Sequence, residues 1–397
     1  MRFLLVGNDQ LEFFDVSPTT VLDIDTDILR KNVSTIQDAA GQNVALIAVV
    51  KSDGYGMGQE RMAQELISTG VHSIGVATTI DALRLRAVRP DATIMLIYPV
   101  LSQDFSALAK AGIEITVTTI EHVRALDAVA KENHTTIRVH LQVETGMHHY
   151  GADSESLVDI AQFIEESPYI IFAGISTHFA SAGVNQDATV AQYDNFITAL
   201  TILSQRHIYP EFIHCANSAA FDVFPESWTG DDFKRLMPDT TVAVRIGSLL
   251  YGLYQPRNDS LRTRIVVTQL TTHLVEIKQI KQGETVGYFG SFVAQRDMRI
   301  GILPLGWGSN GFFPIDGRVS INGIEAPIIG SIGANTCAVD ISNMRDVMVG
   351  QLVSVLDTTG VDNSLGLEEV ASRQSMFVSR FLLSVGTTSC RRYITKR

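Results

Sequence analysis

Cysteine is scarce in this chain: of 397 residues only Cys215, Cys337 and Cys390 are cysteines, widely spaced and without a CxxC pair. An odd, scattered set excludes a disulfide framework and the usual zinc or dithiol motifs, and points to a reducing compartment. Positive charge is also in the minority, with 31 Lys and Arg against 43 Asp and Glu and a formal net charge of −12. Such a surface repels nucleic acid and anionic lipid. Long apolar runs are missing, since no stretch approaches the roughly 18 residues of a membrane span. The N-terminal MRFLLVGNDQLEFF carries one basic residue and a short apolar run broken by glycine, too little for a signal-peptide core. The reading is a cytoplasmic protein that meets neither nucleic acid nor membrane and acts on small molecules.

What the chain does have is apolar material for a large core, 45% hydrophobic against 19% charged. The length exceeds what one core normally uses, so two domains are expected. Short Val/Ile/Leu-rich runs recur: ALIAVV (45–50), SIGVA (73–77), TIMLIY (93–98), IEITV (113–117), TIRVHLQV (136–143), IIFAGIS (170–176), EFIHC (211–215) and VAVRIG (242–247). They fit strands buried on both faces. Segments such as GQERMAQELISTG and TIEHVRALDAVAKEN lie between them, with apolar residues at helical spacing. Eight strands alternating with helices predict a (β/α)8 TIM barrel over 16–255. From 256 to 397 the pattern changes to period-two alternation with glycine-bearing turns, as in TRIVVTQLTTHLVEIKQI and GRVSINGIEAPIIG, and predicts a C-terminal, mainly β domain. Residues 1–15 could add a strand to that domain, although sequence alone leaves open which domain they join.

Barrel enzymes build their sites at the C-terminal ends of the strands. Here those ends are polar: Lys51-Ser-Asp-Gly-Tyr55, VETGMHHYG, STHFASAG with His178, HCANSAA with Ser218, and Arg245-Ile-Gly-Ser. A lysine desolvated at a barrel mouth can form a Schiff base with an aldehyde, and a lysine that only snorkels from a strand end is the competing reading. Gly247 and Ser248 suit a phosphate held by backbone N–H groups, and Ser218 could add a hydroxyl or simply cap a helix. Arg245 inside an apolar run needs a partner, so a structural ion pair competes with a site role. Taken alone, His178 fits a satisfied core histidine and Tyr288 a strand aromatic packed on glycine. His148 and His149 are adjacent, point differently and have no carboxylate set around them, so no metal is expected.

AVVKSDGYGMG (48–58) resembles the cofactor-lysine signature of alanine racemases, and ETGMHHYG, STHFASAG, HCANSAA, VRIGSLLYGLYQP, VGYFGSF and LPLGWGSNGFF resemble further segments of that family in the same order. The resemblance runs from about residue 18 to 345. It implies a barrel binding pyridoxal 5′-phosphate, a small amino-acid substrate (alanine first, serine or a broader range next) and a homodimer with shared active sites. Lys51 would hold the cofactor, and Tyr288 would be the second acid/base, supplied by the partner subunit. Arg245 would contact the pyridine nitrogen, His178 would link Arg245 to the tyrosine, and Tyr55, Ser218, Gly247 and Ser248 would cradle the phosphate.

Departures from the family pattern gather at the substrate end. Gln142 stands where the family often has a lysine, His149 where it has an arginine, and Ala334-Asn335 where it has Met-Asp. His149, Ala334 and Asn335 are therefore the expected substrate contacts. Trp307 replaces a gate tyrosine, and SVGTTSCRRYI lacks a clear match to the family's tyrosine near Thr387. The competing functions are an amino-acid decarboxylase of the same architecture and a non-catalytic pyridoxal-phosphate-binding protein.

Overall fold

The computed structural model describes residues 2–7, 10–15, 18–308, 311, 317–360 and 366–395. The part of LPLGWGSNGFF at 309–310 and 312–313 lies outside the described residues. The chain divides into two compact units, Ile28–Tyr55 with Gln59–Arg264, and Met1–Asp27 with Gly56–Gly58 and Ile265–Arg397.

The first unit is a closed parallel barrel, as the alternation predicts. Its strands are Val44–Val49, Ser73–Val76, Thr93–Leu96, Glu114–Val117, Ile137–Gln142, Ile170–Ser176, Phe212–His214 and Thr241–Ile246. All eight runs named from the sequence are strands. Closure comes from the last, whose Val242–Ile246 segment pairs in parallel with 44–48 of the first. Helices separate consecutive strands. Ile120–Glu132 shows why they start where they do, because the Thr119 hydroxyl accepts from the His122 N–H and satisfies an otherwise orphaned donor.

Inside the barrel Ile47, Met95 and Ala243 form an apolar layer. Polar side chains from Glu114, His140, His214 and Arg245 are buried at neighbouring levels. A barrel interior is normally filled by branched apolar residues, so this polar column marks the half of the barrel given over to something other than packing.

The second unit centres on a nine-stranded sheet ordered Glu276–Ile280, Met298–Leu303, Cys337–Asp340, Ile324–Ile329, Arg318–Ile321, Leu352–Asp357, Val267–His273, Val21–Asp25 and Cys390–Ile394. Val21–Asp25, within the 16–255 span of the sequence reading, pairs here with Val267–His273 and Cys390–Ile394. The reason is visible in VLDID: Leu22 and Ile24 are fully buried, and the buried Asp23 carboxylate accepts two hydrogen bonds from Arg392 at 2.7 and 2.6 Å. Arg2–Gly7 and Gln10–Asp15 form a separate antiparallel pair. Among the described residues no helix is long and apolar enough to cross a membrane.

One buried amide ties the first barrel helix, Thr26–Ala40, to the end of the barrel. Asn32 donates to the carbonyls of Leu250 at 2.8 Å and Arg264 at 2.7 Å, and accepts from the Arg264 N–H at 2.9 Å. Asn32→Ala leaves three backbone groups without partners, each costing about 1 kcal/mol or more when buried. We expect a loss of about 2–4 kcal/mol, seen as a fall of several degrees in the thermal unfolding midpoint.

Candidate active site

The strand ends of the barrel surround a cavity of about 410 Å3. Its lining includes Lys51, Tyr55, His149, His178, Ser218, Arg245, Gly247 and Ser248, and so it brings together all eight barrel residues singled out from the sequence. Tyr98, Tyr150, Gln142 and His214 line it too, and among the described residues no aspartate or glutamate does. In a chain of net charge −12 this is a local reversal, and it suits an anionic ligand.

Lys51 follows the first strand and opens a left-handed turn: φ is 53° at Ser52, 53° at Asp53, 61° at Gly54 and 56° at Tyr55. For the three non-glycine residues this conformation costs about 1–2 kcal/mol each, strain of the kind that persists where surrounding structure enforces it. The turn is held by the Gly54 N–H donating to the Val50 carbonyl at 2.9 Å and the Gln59 N–H donating to Asp53 Oδ1 at 2.9 Å. The result is that Lys51 and Tyr55 both reach the cavity. Lys51 Nζ donates to the Tyr98 hydroxyl at 3.0 Å.

Tyr55 packs beside Tyr251, with ring centroids 5.1 Å apart, and its hydroxyl lies against Gly247. A Cβ at Gly247 would stand 2.2 Å from that oxygen, so only glycine allows the approach. Burial, with Tyr98 nearby, pushes the Tyr55 phenol well above its ordinary range, so it serves as a neutral hydroxyl. Ser218 is not the helix cap that the simpler reading made it. Asn217 caps Ser218–Val223 by accepting from the N–H groups of Ala219 and Ala220, and Ser218 Oγ accepts from the N–H groups of Gly247 at 3.2 Å and Leu249 at 3.3 Å. The loops after the seventh and eighth strands are thereby tied into one polar cradle.

Arg245 is buried, and among the described residues no carboxylate pairs with it. Its guanidinium donates to His214 Nδ1 at 2.7 Å, to the His214 carbonyl, to the Thr177 carbonyl at 2.5 Å and to His178 Nδ1 at 3.3 Å. The ion-pair alternative for Arg245 therefore fails at first contact. Burial, then the charges of Arg245, Lys51 and His149, depress His178 to about 3. Gln142, buried, accepts from the Ser176 hydroxyl at 2.7 Å.

Tyr288, Ala334 and Asn335 belong to the other compact unit. Tyr288 starts a short turn, Tyr288–Gly290, in which Phe289 has φ 60°. The turn lies on the 331–336 loop: Ser331 Oγ donates to the Tyr288 carbonyl at 3.1 Å, and a Cβ on Gly333 would come 3.4 Å from Tyr288 Cε2. Trp307 joins the patch, its N–H donating to the Gly333 carbonyl at 3.3 Å. Tyr288 is 65% exposed, Phe289 105% and Trp307 56%, an outward-facing aromatic group.

Sequence reasoning missed Tyr98 and His214. Tyr98 closes the run TIMLIY and His214 opens HCANSAA, so inspecting every strand end for a polar side chain would have found both.

The depressed His178 has a consequence for stability. Its folded value lies below the unfolded one near 6.5, so the unfolded chain binds the extra proton and stability falls as pH drops from about 6.5 towards 3. The slope from this group is about 1.4 kcal/mol per pH unit. His178→Gln should flatten the pH dependence of the denaturant midpoint in that window; an unchanged slope would remove the assignment.

Against known families, residues 24–255 match the model of the alanine racemase N-terminal domain, and 267–393 that of the alanine racemase C-terminal domain. Alanine racemase 1 of Clostridium acetobutylicum is 31% identical over 343 residues, 84% of this chain and 85% of that protein. Alanine racemase of Halothermothrix orenii is 29% identical over 351 residues, 87% of this chain and 89% of that protein. Among solved structures, alanine racemase of Clostridium difficile 630 superposes with a TM-score of 0.87 at 24% identity, covering 96% of this chain and 97% of that one, a likeness of fold. The alanine racemase structure from E. faecalis gives 0.82 at 25% identity over 95% and 98%. With both of its domains matched in order, the chain belongs to the alanine racemase family.

Proposed function

We propose that this amino-acid racemase uses pyridoxal 5′-phosphate to interconvert the L and D forms of alanine, with serine the next substrate in line. The observation that carries the reading is the cavity that gathers Lys51, Arg245, His178 and the Gly247–Ser218 cradle with no carboxylate among the described residues that line it. These residues fit the cofactor. The Tyr55 hydroxyl that Gly247 lets approach, the Ser218 hydroxyl and the Ser248 backbone suit a phosphate, and Arg245 suits the pyridine nitrogen. When bound, the cofactor supplies an aldehyde carbon for the Lys51 amine and a ring that withdraws electrons from the substrate's α-carbon. Arginine does not readily give up a proton to the ring nitrogen, which limits that withdrawal and favours returning the proton over side reactions.

Inversion at a carbon requires a proton taken from one face and returned to the other, so two groups must straddle the substrate. Lys51 Nζ serves one face, held by Tyr98. Tyr288 serves the other, contributed by a second copy of the chain in a homodimer with shared sites. Its exposure on a turn beside Phe289 and Trp307 supports that arrangement. His178 accepts from Arg245 at Nδ1, which leaves Nε2–H to donate towards the tyrosine hydroxyl. His149 and the backbone at Ala334 would meet the substrate carboxylate, and Asn335 a polar side chain such as a serine hydroxyl.

Neither an amino-acid decarboxylase of this architecture nor a non-catalytic cofactor-binding protein is favoured, because both domains match racemases.

Incubating the protein and cofactor with L-alanine, L-serine and L-lysine, then resolving the enantiomers, should give D-alanine fastest; absence of every D-product sinks the racemase reading. Tyr288→Phe should keep the visible absorbance of the bound cofactor and lose racemisation by on the order of a hundredfold or more, the scale of a general acid/base. Full activity in that variant would remove Tyr288 from the mechanism.

A further inference from the structure

Below the active-site cavity the barrel carries a second, separate cavity of about 710 Å3, at the end lined by Arg86, Lys110, Glu114, Arg138, His140 and Glu211. The two are joined by side chains. Arg245 NH1 donates to His214 Nδ1 at 2.7 Å, His214 Nε2 meets His140 Nδ1 at 2.9 Å, and His140 Nε2 meets Glu114 Oε2 at 2.8 Å. All four residues are buried. Among the described residues no three His, Cys, Asp or Glu groups are arranged to hold a metal, so the row is a hydrogen-bond chain.

Its polarity is fixed at one end. A guanidinium only donates, so His214 Nδ1 carries a lone pair. A neutral His214 then has its proton on Nε2, which faces His140 Nδ1 and makes that atom the acceptor. His140 in turn carries its proton on Nε2 and donates to Glu114. One assignment satisfies every contact, and every donor points down the barrel towards the carboxylate. A doubly protonated His214 would set a second cation against Arg245, and burial, then Arg245 and His140, holds its pKa well below the ordinary histidine value. At the far end Glu114 is kept ionised: burial opposes the charge, but hydrogen bonds from His140 and Arg138 outweigh it. Arg138 donates to Glu114 Oε1 at 2.5 Å while its other nitrogens grip Glu211 at 3.0 and 2.5 Å. Two cations thus share two carboxylates, and Arg245 takes its share of Glu114 through two imidazoles.

Backbone geometry makes room for the pair of rings. Gly174 sits opposite His140 in the strand register, and a Cβ there would lie 2.2 Å from His140 Nδ1 and 3.2 Å from His214 Nε2. Any larger residue would push the imidazoles apart.

We propose that Glu114 is the positioning residue for Arg245: through His140 and His214, both locked as neutral Nε2–H tautomers, it balances and aims the buried guanidinium from the opposite end of the barrel. A carboxylate placed directly on Arg245 would cancel its field in the cavity; one held two rings away supports the cation and leaves the cavity positive. The consequence for racemisation rests on the function proposed above, whereas the state of the two imidazoles does not.

The test uses 15N-histidine-labelled protein without cofactor. Wild type should show His140 and His214, assigned by His140→Gln and His214→Gln, as neutral rings bare at Nδ1, with slowly exchanging Nε2 protons. A proton on Nδ1 of either ring, or two on either, overturns the proposal with no variant of Glu114 needed. With cofactor, Glu114→Gln should disturb both ring signals and lower kcat for L-alanine about tenfold at unchanged KM, a cost typical of removing the group that orients a histidine. Glu114→Asp should restore both. Disturbed rings with wild-type kcat would overturn the positioning role. A protein that racemises nothing while showing the expected rings would refute the function and leave the chain of imidazoles standing.

Discussion

A full positive charge buried inside a barrel is the constraint on which the rest of the site depends. Leaving a guanidinium unpaired in such a place costs several kcal/mol, and placing a carboxylate against it would neutralise the field it casts. The fold avoids both. Arg245 is met by two backbone carbonyls, which complement its donors without adding charge, and by the bare Nδ1 atoms of His178 and His214. Both histidines are then driven towards neutrality, by burial first and by the cation they accept from second, and His178 falls to about 3. Two of the three histidines that line the cavity thus add no charge beside Arg245.

The other costly feature is the left-handed stretch from Ser52 to Tyr55. Three residues with side chains hold a conformation that glycine alone takes freely. What accompanies the strain is placement: the turn brings both Lys51 and Tyr55 to the cavity. Tyr55 then meets Gly247, seven barrel strands and nearly 200 residues later in the sequence, with no room for a Cβ between them. The first and last strands are neighbours in the closed barrel, so a turn after one can lean on a turn after the other.

Much of this was legible in the sequence because it is local. Eight apolar runs with helical segments between them gave the barrel strand by strand, and polar residues at strand ends gave the lining of the cavity. Contacts between distant strands were not legible. Nothing in IEITV, TIRVHLQV and EFIHC says that Glu114, His140 and His214 touch, because the register that joins them is set by barrel closure. Val21–Asp25 shows a second limit: a five-residue strand reads the same whichever sheet it joins, and its place is decided by Val267–His273 and the chain's far end at Cys390–Ile394. Ser218 shows a third. Asn217 and Ser218 are both good caps, and only the path of the loop to Gly247 decides which one caps and which one reaches across.

The substrate end can be argued from the same electrostatics. Gln142 is neutral, buried and already accepts from Ser176, so unlike a lysine it adds no charge to the cavity. His149, at the exposed rim beside Tyr98 and Tyr150, replaces a guanidinium with a ring that is a weaker and more adaptable donor. Of the two, only the change at His149 replaces a permanent cation, while Lys51 and Arg245 remain in the cavity lining. Affinity for a carboxylate should then come more from neutral hydrogen bonds and less from direct ion pairing. Neutral donors lose less to screening by salt than exposed ion pairs do, and they discriminate by position more than by charge. A cavity built this way discriminates by the position of its neutral donors more than by charge.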